Sequence, residues 1–413
     1  MNSSSSSRWR RGAAAALLVA GIAAGGASLA QESVRPEIGK PLQAAQEMIK
    51  AGRYREALGK VREAEAAGAR NANETYLIER MRLAAASGAG DAETAARSFD
   101  ALSGSGRIQP AEKLRMMESI ASSYYRAQQY PKAMQWSQRY FREGGTSPAI
   151  RTMLIQSQYL SGDFAGASKE LVAEIQGAER AGTTPGEDRL KLLLNAASKQ
   201  GDNNAYVFAM ERLVTYYPKK EYWVDLLSRM QRKPGFSDRL SLDAYRLSLA
   251  TGSMSAAADF MEMAQLALQA DLASEGKVVI DKGIASGALA TGAQADRAKR
   301  LKALVDKKLA EDAASRAEDE KQAMAAKSGD ALVSLGMYSV YSGQPAKGVQ
   351  LMQQGIAKGG LKRPEDAKLH LGIAQLIAGD NAKAQQTLKT VTGADGTADL
   401  ARLWALYARR GTA

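Results

Sequence analysis

Residues 369–388 read LHLGIAQLIAGDNAKAQQTL, and a similar pattern occurs upstream in residues 332–352 as LVSLGMYSVYSGQPAKGVQLM. The spacing from Leu335-Gly336 to Gly343 is the same as the spacing from Leu371-Gly372 to Gly379. The two Leu-Gly pairs are 36 residues apart, from position 336 to position 372. A period of this length is typical of stacked repeats, in which one supersecondary unit cannot bury its apolar face alone.

The repeated unit predicts two antiparallel helices. Leu335 and Gly336 lie on one helical face, Gly343 ends that helix, and Pro345 begins the next one where its missing N–H is harmless. Glycine at positions 336 and 348 would allow the two helix axes to approach closely. The unit is therefore predicted to be a helical hairpin.

The composition favours helices throughout. The chain has 413 residues, of which 45% are hydrophobic, 6% aromatic and 24% charged, which is typical of a soluble folded protein. Strong helix formers dominate, whereas the Val, Ile and Thr that strands need are scarce. We therefore predict an all-α protein.

Weaker copies of the hairpin precede the two clear ones. They carry a turn residue or aromatic residue followed by alanine: Gly52, Tyr54 and Ala57; Gly90, Ala92 and Ala95; Tyr124, Tyr130 and Ala133; Gly162, Phe164 and Ala167; Gly252 and Ala257. This pattern resembles the tetratricopeptide repeat, although Gln128 replaces the turn glycine of the third copy. The resemblance implies an α-solenoid of tetratricopeptide-like hairpins, wound as an α-α superhelix, with a long charged helix and a C-terminal capping helix.

The amino terminus reads as a secretory signal. A basic start is followed by the apolar residues 12–24 and by Ser28-Leu29-Ala30 ahead of Gln31, which is typical of a cleaved signal peptide. An uncleaved inner-membrane anchor stays an alternative, because the apolar run could just span a bilayer. Export without any cysteine suits a bacterial periplasm.

Four regions follow from these patterns. Residues 1–30 are the predicted signal peptide, 31–291 the repeat array, 292–327 a charged helical spacer, and 328–413 a repeat pair with a capping helix. A stripe in the spacer has apolar residues at steps of four: Leu301, Val305, Leu309, Ala313 and Ala317. A coiled-coil dimer arm is the alternative interpretation of that stripe.

Catalytic residue types are scarce. The chain has one histidine, His370, and no cysteine, which excludes most zinc sites and histidine-based triads. It also lacks a calcium-loop motif and a glycine-rich phosphate loop. We expect a non-enzyme without cofactor or metal and a structural or surface role for His370, although a carboxylate-pair hydrolase stays open.

The first helices of successive repeats should line a groove. In three repeats this face is polar and basic, with two tyrosines, and could bind an acidic or extended peptide through arginine–carboxylate pairs. An ordinary solvated surface is the alternative. The predicted groove residues are Arg115, Glu118, Ser122, Tyr125, Arg126, Gln156, Tyr159, Lys191, Asn195 and Lys199.

Residues 215–239 read TYYPKKEYWVDLLSRMQRKPGFSDR and mix aromatic with basic side chains. We interpret the aromatic residues as wedges between hairpins that are covered by long basic side chains. The run also resembles a segment of exported proteobacterial tetratricopeptide proteins associated with TonB energy-transduction systems. That resemblance implies an accessory or scaffolding role and carries no catalytic residues.

Charge and export together suggest the partner. The formal charge of +12 favours acidic proteins or anionic envelope polymers, and export argues against nucleic acid. We therefore predict a non-enzymatic periplasmic scaffold with an acidic protein or peptide partner, associated with an envelope complex such as a TonB-type system. The alternative is a subunit or enzyme that acts on anionic wall polymer or exopolysaccharide.

Overall fold

The computed structural model describes residues 34–409, so the predicted signal peptide, residues 1–30, lies outside the described residues. This part of the chain contains twenty α-helices, one 3-10 turn (Asp238–Leu240) and no β-strand. The helices are α1 (Pro36–Lys50), α2 (Tyr54–Glu65), α3 (Ala72–Ala89), α4 (Ala92–Ser103), α5 (Pro110–Arg126), α6 (Tyr130–Arg142), α7 (Pro148–Leu160), α8 (Phe164–Arg180), α9 (Glu187–Gln200), α10 (Asn203–Tyr216), α11 (Lys220–Gln231), α12 (Ser241–Thr251), α13 (Ala257–Gln269), α14 (Ala273–Ala285), α15 (Gly292–Ala325), α16 (Asp330–Tyr341), α17 (Pro345–Lys358), α18 (Pro364–Ile377), α19 (Asn381–Lys389) and α20 (Thr397–Arg409).

Consecutive helices pair as hairpins. α1 packs on α2, α3 on α4, α5 on α6, α13 on α14, α16 on α17, and α18 on α19. The turns of both diagnostic repeats use glycine in the left-handed conformation, with φ of 82° at Gly343 and 85° at Gly379. The predicted all-α class and the predicted helical-hairpin repeat are therefore confirmed.

Two hairpins place another residue in the left-handed turn position. Gln128 has a φ of 58°, so the third repeat keeps the turn although its glycine is replaced. Asp271 has a φ of 55° between α13 and α14, where the sequence pattern is hardest to read. These are the only non-glycine residues with positive φ among residues 34–409.

The close approach predicted at Gly336 and Gly348 is present between α16 and α17. A Cβ at position 336 would lie 2.3 Å from Met352 Cγ and 2.8 Å from the Gly348 carbonyl oxygen. A Cβ at position 348 would lie 2.6 Å from the Gly336 carbonyl oxygen. The two backbones therefore touch where the side chains are absent.

The contacts divide the chain into two compact units. The first runs to Glu174 and includes Lys199–Gly201; the second comprises Ile175–Ser198 and Asp202 onward. In the first unit, Phe99, Met117 and Ile120 are fully buried within one apolar core.

The second unit has its own core, to which the long helix α15 contributes. Leu301 and Val305 are buried there with Phe260 and Val279, and Leu309 packs against the same cluster. Farther along α15, the Arg316 guanidinium lies 3.4 Å from the centre of a tyrosine ring of α16. The first three residues of the predicted stripe are therefore covered within the same chain, whereas Ala313 and Ala317 are exposed.

The C-terminal helix does more than the predicted capping of the last repeat. α20 packs on α18 and α19, as a cap should, and it also contacts α10 and α12 within the second unit. Lys233 Nζ lies 2.7 Å from Asp399 Oδ2, and the Ser237 amide donates to the Asp395 carbonyl oxygen at 2.9 Å. We call this set of interactions the C-terminal contact.

Arg239 strengthens the C-terminal contact from the short turn before α12. Its guanidinium pairs with both Asp366 and Asp395. The hydroxyl of Thr397 donates to Asp395 Oδ1 at 2.7 Å and fixes that carboxylate.

None of the helices between residues 34 and 409 combines the length and the apolar character that crossing a bilayer requires.

Candidate functional site

Five of the predicted groove residues lie on one face of α5. Pro110 begins this helix and its apolar side chains turn toward the core, so the opposite side carries Arg115, Glu118, Ser122, Tyr125 and Arg126. Both arginines are exposed, and the other three residues are half-buried.

Helix α7 lies beside α5 and contributes two more predicted residues. The Tyr125 hydroxyl donates to Gln156 Oε1 at 2.8 Å, which links the two helices, and burial with nearby Tyr130 raises the pKa of Tyr125. Tyr159 packs edge-on against Phe164 with 5.4 Å between ring centres. We call the seven residues Arg115, Glu118, Ser122, Tyr125, Arg126, Gln156 and Tyr159 the α5–α7 face.

The two arginines of this face have no acidic partner among the described residues. Arg126 donates to the Ser123 hydroxyl at 3.2 Å, and no ion pair forms at Arg115. Several other cations of the same unit are paired; for example, Lys113 lies 2.7 Å from Glu143. The further pairs are Arg80 with Glu112, Lys132 with Glu93, Arg139 with Asp100, and Arg151 with Glu170.

The remaining three predicted residues differ from this set. Lys199 belongs to the first unit, and its ammonium lies 5.3 Å from the centre of the Phe164 ring. Lys191 and Asn195 lie on the exposed side of α9 in the second unit. Lys191 is paired with Glu187, four residues earlier on the same helix, at 3.0 Å.

The aromatic and basic run of residues 215–239 is occupied by contacts within the second unit. The Tyr217 hydroxyl donates to the Pro185 carbonyl oxygen at 2.9 Å, and Trp223 is only 1% exposed. Hydrogen bonds from Lys219, Tyr222 and Lys191 lower the pKa of Glu187 to about 2. These contacts agree with the structural interpretation of the run.

A buried charged cluster joins four helices of the second unit. Arg246 of α12 makes two hydrogen bonds to Glu275 of α14, at 2.7 and 2.6 Å, and one to Asp243 at 2.6 Å. His370 Nε2 of α18 lies 2.9 Å from Asp243 Oδ1, and the Arg246 guanidinium lies 6.0 Å from the ring centre of Tyr341 in α16.

The charges of this cluster compensate one another. Burial alone would raise the pKa of Asp243, but His370 and Arg246 hold that pKa well below its usual range. Glu275 and Asp243 likewise raise the pKa of Arg246 despite its burial. The cluster therefore holds helices together, which is a structural role for His370. Sequence reasoning missed it because charged residues are common throughout the chain.

The described residues suggest no metal centre. Between positions 34 and 409, no group of three or more His, Asp or Glu side chains is arranged to hold a metal ion.

Comparisons with known proteins give weak similarity. No family model matches the chain, and no curated protein matches its sequence. Yeast Tom70 aligns at 10% identity over 91% of this chain and 96% of that chain, with a TM-score of 0.24. Maize pentatricopeptide repeat protein PPR10 aligns at 14% identity over 88% of this chain and 61% of that chain, with a TM-score of 0.27.

A tetratricopeptide repeat domain is also among the similar structures. The domain of P58(IPK) aligns at 11% identity over 91% of this chain and 98% of that chain, with a TM-score of 0.21. Because all of these TM-scores are far below 0.5, the helical-repeat class rests on the hairpins of this chain itself.

Proposed function

We propose that this protein is a non-enzymatic scaffold whose α5–α7 face binds an acidic segment of a protein partner. The observation that carries this proposal is the pair of exposed arginines, Arg115 and Arg126, which have no carboxylate partner among the described residues and share a face with the linked Tyr125 and Gln156. Lys113 and Arg139, two other cations of the unit, are instead held in ion pairs. The two free guanidiniums therefore remain available for bidentate contacts to carboxylates.

The geometry suits an extended or helical peptide. Arg115 and Arg126 are eleven positions apart on one helix, which corresponds to about 16 Å along its axis. The half-buried Tyr125, directly before Arg126, supplies a rigid apolar surface with a polar tip. The on-rate of an acidic partner would also be increased by the positive net charge of the chain.

Location belongs to the same proposal. The basic start, apolar run and small-residue site before Gln31 support export to the periplasm. The likeness of residues 215–239 to TonB-associated tetratricopeptide proteins supports a place beside an envelope energy-transduction complex. N-terminal sequencing of protein from a periplasmic fraction should begin at Gln31; an intact amino terminus in a cytoplasmic fraction would contradict export.

Binding is tested with a charge-reversed double variant, Arg115→Glu with Arg126→Glu, used as bait in envelope extracts. Wild-type protein should retain a partner that the variant loses, identified by mass spectrometry. The matched control is Arg55→Glu with Arg62→Glu, two exposed arginines of α2 that form no ion pair among the described residues. Capture of the same proteins by wild type and by the α5 variant would end this proposal.

A further inference from the structure

A second open surface lies in the other unit, between α13 and the first half of α15. It is a cleft of about 800 Å³. Its α13 wall includes Met261, Glu262 and Gln265, and its α15 wall includes Arg297, Arg300 and Leu304. We call it the α13–α15 cleft.

The floor of this cleft is apolar and one edge is unusually exposed. Met261 and Leu301 are both 9% exposed and form part of the core, whereas Leu304 is 55% exposed. An exposed leucine alone needs no explanation, but here it adjoins a concave surface that has the largely buried Met261 and Leu301 in its floor and polar side chains around them. Among residues 34–409, no side chain covers most of Leu304, which is the main apolar area that the cleft offers to a partner.

The charged side chains of the cleft indicate which kind of partner would bind there. Arg297 and Arg300 are exposed and form no ion pair with any described residue, whereas Lys299 on the same helix lies 3.8 Å from Asp296. The one carboxylate of the lining, Glu262, accepts a hydrogen bond from the Tyr245 hydroxyl at 2.9 Å. Among the described residues, the α15 wall therefore carries two unpaired positive charges, and the α13 wall opposite carries a single carboxylate.

The length of the cleft defines the shape of the occupant. Lining residues run from Ala258 to Gln269 on α13 and from Gln294 to Leu304 on α15. At 1.5 Å per residue, each wall is about 15 to 17 Å long, which matches about three turns of helix. Two helices with a groove between them commonly accept a third amphipathic helix.

We propose that the α13–α15 cleft binds an acidic amphipathic helix of a partner protein, with apolar side chains on Met261, Leu301 and Leu304 and carboxylates against Arg297 and Arg300. This site is separate from the α5–α7 face and uses apolar contact as well as charge. The protein would then hold two partner segments, one on each unit.

The test uses full-length protein and a designed probe. The probe is a fluorescein-labelled helical peptide of about three to four turns, with leucine at a helical spacing on one face and glutamate on its flanks. Its counterpart carries lysine in place of every glutamate. Fluorescence anisotropy should show saturable binding of the acidic peptide, weakened by salt, and much weaker binding of the basic one.

Two variants and two matched controls locate the binding. Leu304→Glu, and Arg297→Glu with Arg300→Glu, should each weaken binding at least about tenfold. Met324→Glu changes another exposed apolar residue of α15 outside the cleft, and Lys299→Glu with Lys321→Glu makes the same double charge reversal outside it. Both controls should bind as wild type does.

Three results would overturn the inference. The first is no binding of the acidic peptide by wild type, and the second is equal binding by cleft variants and controls. The third is self-association of the wild type that Leu304→Glu abolishes, which would make a second copy of this chain the occupant. None of these results depends on the α5–α7 face, so the proposed function is judged separately.

Discussion

Left-handed turn residues mark the hairpins at the scale of single residues. Gly52, Gly162, Gly343 and Gly379 all have φ between 74° and 85°, a region that glycine enters without cost. Sequence analysis could find these turns because glycine identifies them. It could not find the turn at Asp271, since nothing in the sequence distinguishes that residue from an ordinary surface aspartate.

Replacement of Gln128 by glycine should stabilise the fold, because the left-handed conformation costs an L-residue with a side chain about 1 kcal/mol or more. We expect Gln128→Gly to raise the free energy of unfolding by about 1 kcal/mol, measured by urea denaturation. Gly162→Ala, at the same position of the next repeat, should lower it by a similar amount. A destabilised Gln128→Gly variant would contradict the assigned turn.

The buried charged cluster gives a second prediction at this scale. Glu275→Gln removes one of the two carboxylates that balance the buried charge of Arg246. Removal of one partner from a buried ion pair should lower the free energy of unfolding by about 3 kcal/mol or more. Urea denaturation measures the loss. The control is Asp281→Asn, whose pair with Lys277 is 45% exposed on both sides and should contribute less than about 1 kcal/mol. Equal effects of the two changes would mean that the cluster is not buried.

Helix pairing at the scale of elements follows largely from the repeat pattern. The 36-residue period predicted the α16–α17 and α18–α19 hairpins. The glycines at 336 and 348 predicted the close approach of α16 and α17. The same pattern could not show that α15 is a single helix that contacts α13, α14 and α16, because its stripe fits either a packed helix or a coiled coil.

Close packing makes the effect of alanine depend on position. Gly348→Ala would place a Cβ 2.6 Å from a backbone oxygen that cannot move freely, and overpacking of this kind costs about 1–3 kcal/mol. Gly59→Ala, inside α2, meets no atom within 4 Å and should instead stabilise by about 0.4–1 kcal/mol. Thermal unfolding monitored by circular dichroism would compare them. A neutral Gly348→Ala would refute the close approach of α16 and α17.

The candidate site shows the limits of prediction from residue type. The sequence placed Arg115, Tyr125 and Arg126 on one exposed face of α5, because helical spacing determines this. Which cations remain unpaired depends on neighbours from other helices, such as Glu143 beside Lys113. For the same reason, Arg297 and Arg300 could not be recognised from the sequence as the edge of a cleft.

The C-terminal contact is the main feature at the scale of the whole molecule that the sequence did not reveal. Arg239 reaches Asp366 and Asp395, which are 127 and 156 residues away along the chain. No local pattern identifies partners at such distances. The terminal helix was therefore predicted only as a cap, although it also packs on α10 and α12.

The C-terminal contact should respond to acid. Hydrogen bonds from Thr397, together with Arg239, lower the pKa of Asp395 to about 2 from an ordinary value near 4. A lowered pKa in the folded state means that the ionised carboxylate stabilises the fold above about pH 4 and that this contribution is lost as the pH falls through about 2.

Urea denaturation of wild type and of Asp395→Asn at several pH values tests the direction of this pH dependence. The stability difference should be constant above about pH 4 and should disappear as the pH approaches about 2. The control is Glu318→Gln, a change of an exposed residue of α15 outside the contact, and it should show no comparable trend. A difference that does not change between these pH values would mean that Asp395 is not held by this contact.

Zero-length carbodiimide crosslinking of the native protein, read by mass spectrometry, tests the central structural claim most directly. Lys233 and Asp399 lie 166 residues apart in sequence and 2.7 Å apart in the fold. We predict a crosslinked peptide that joins them, and also a crosslink between Lys113 and Glu143, which lie within one helical hairpin. Recovery of the Lys113 link without any link from Lys233 to Asp399 would contradict the C-terminal contact, in which α20 packs within the second unit.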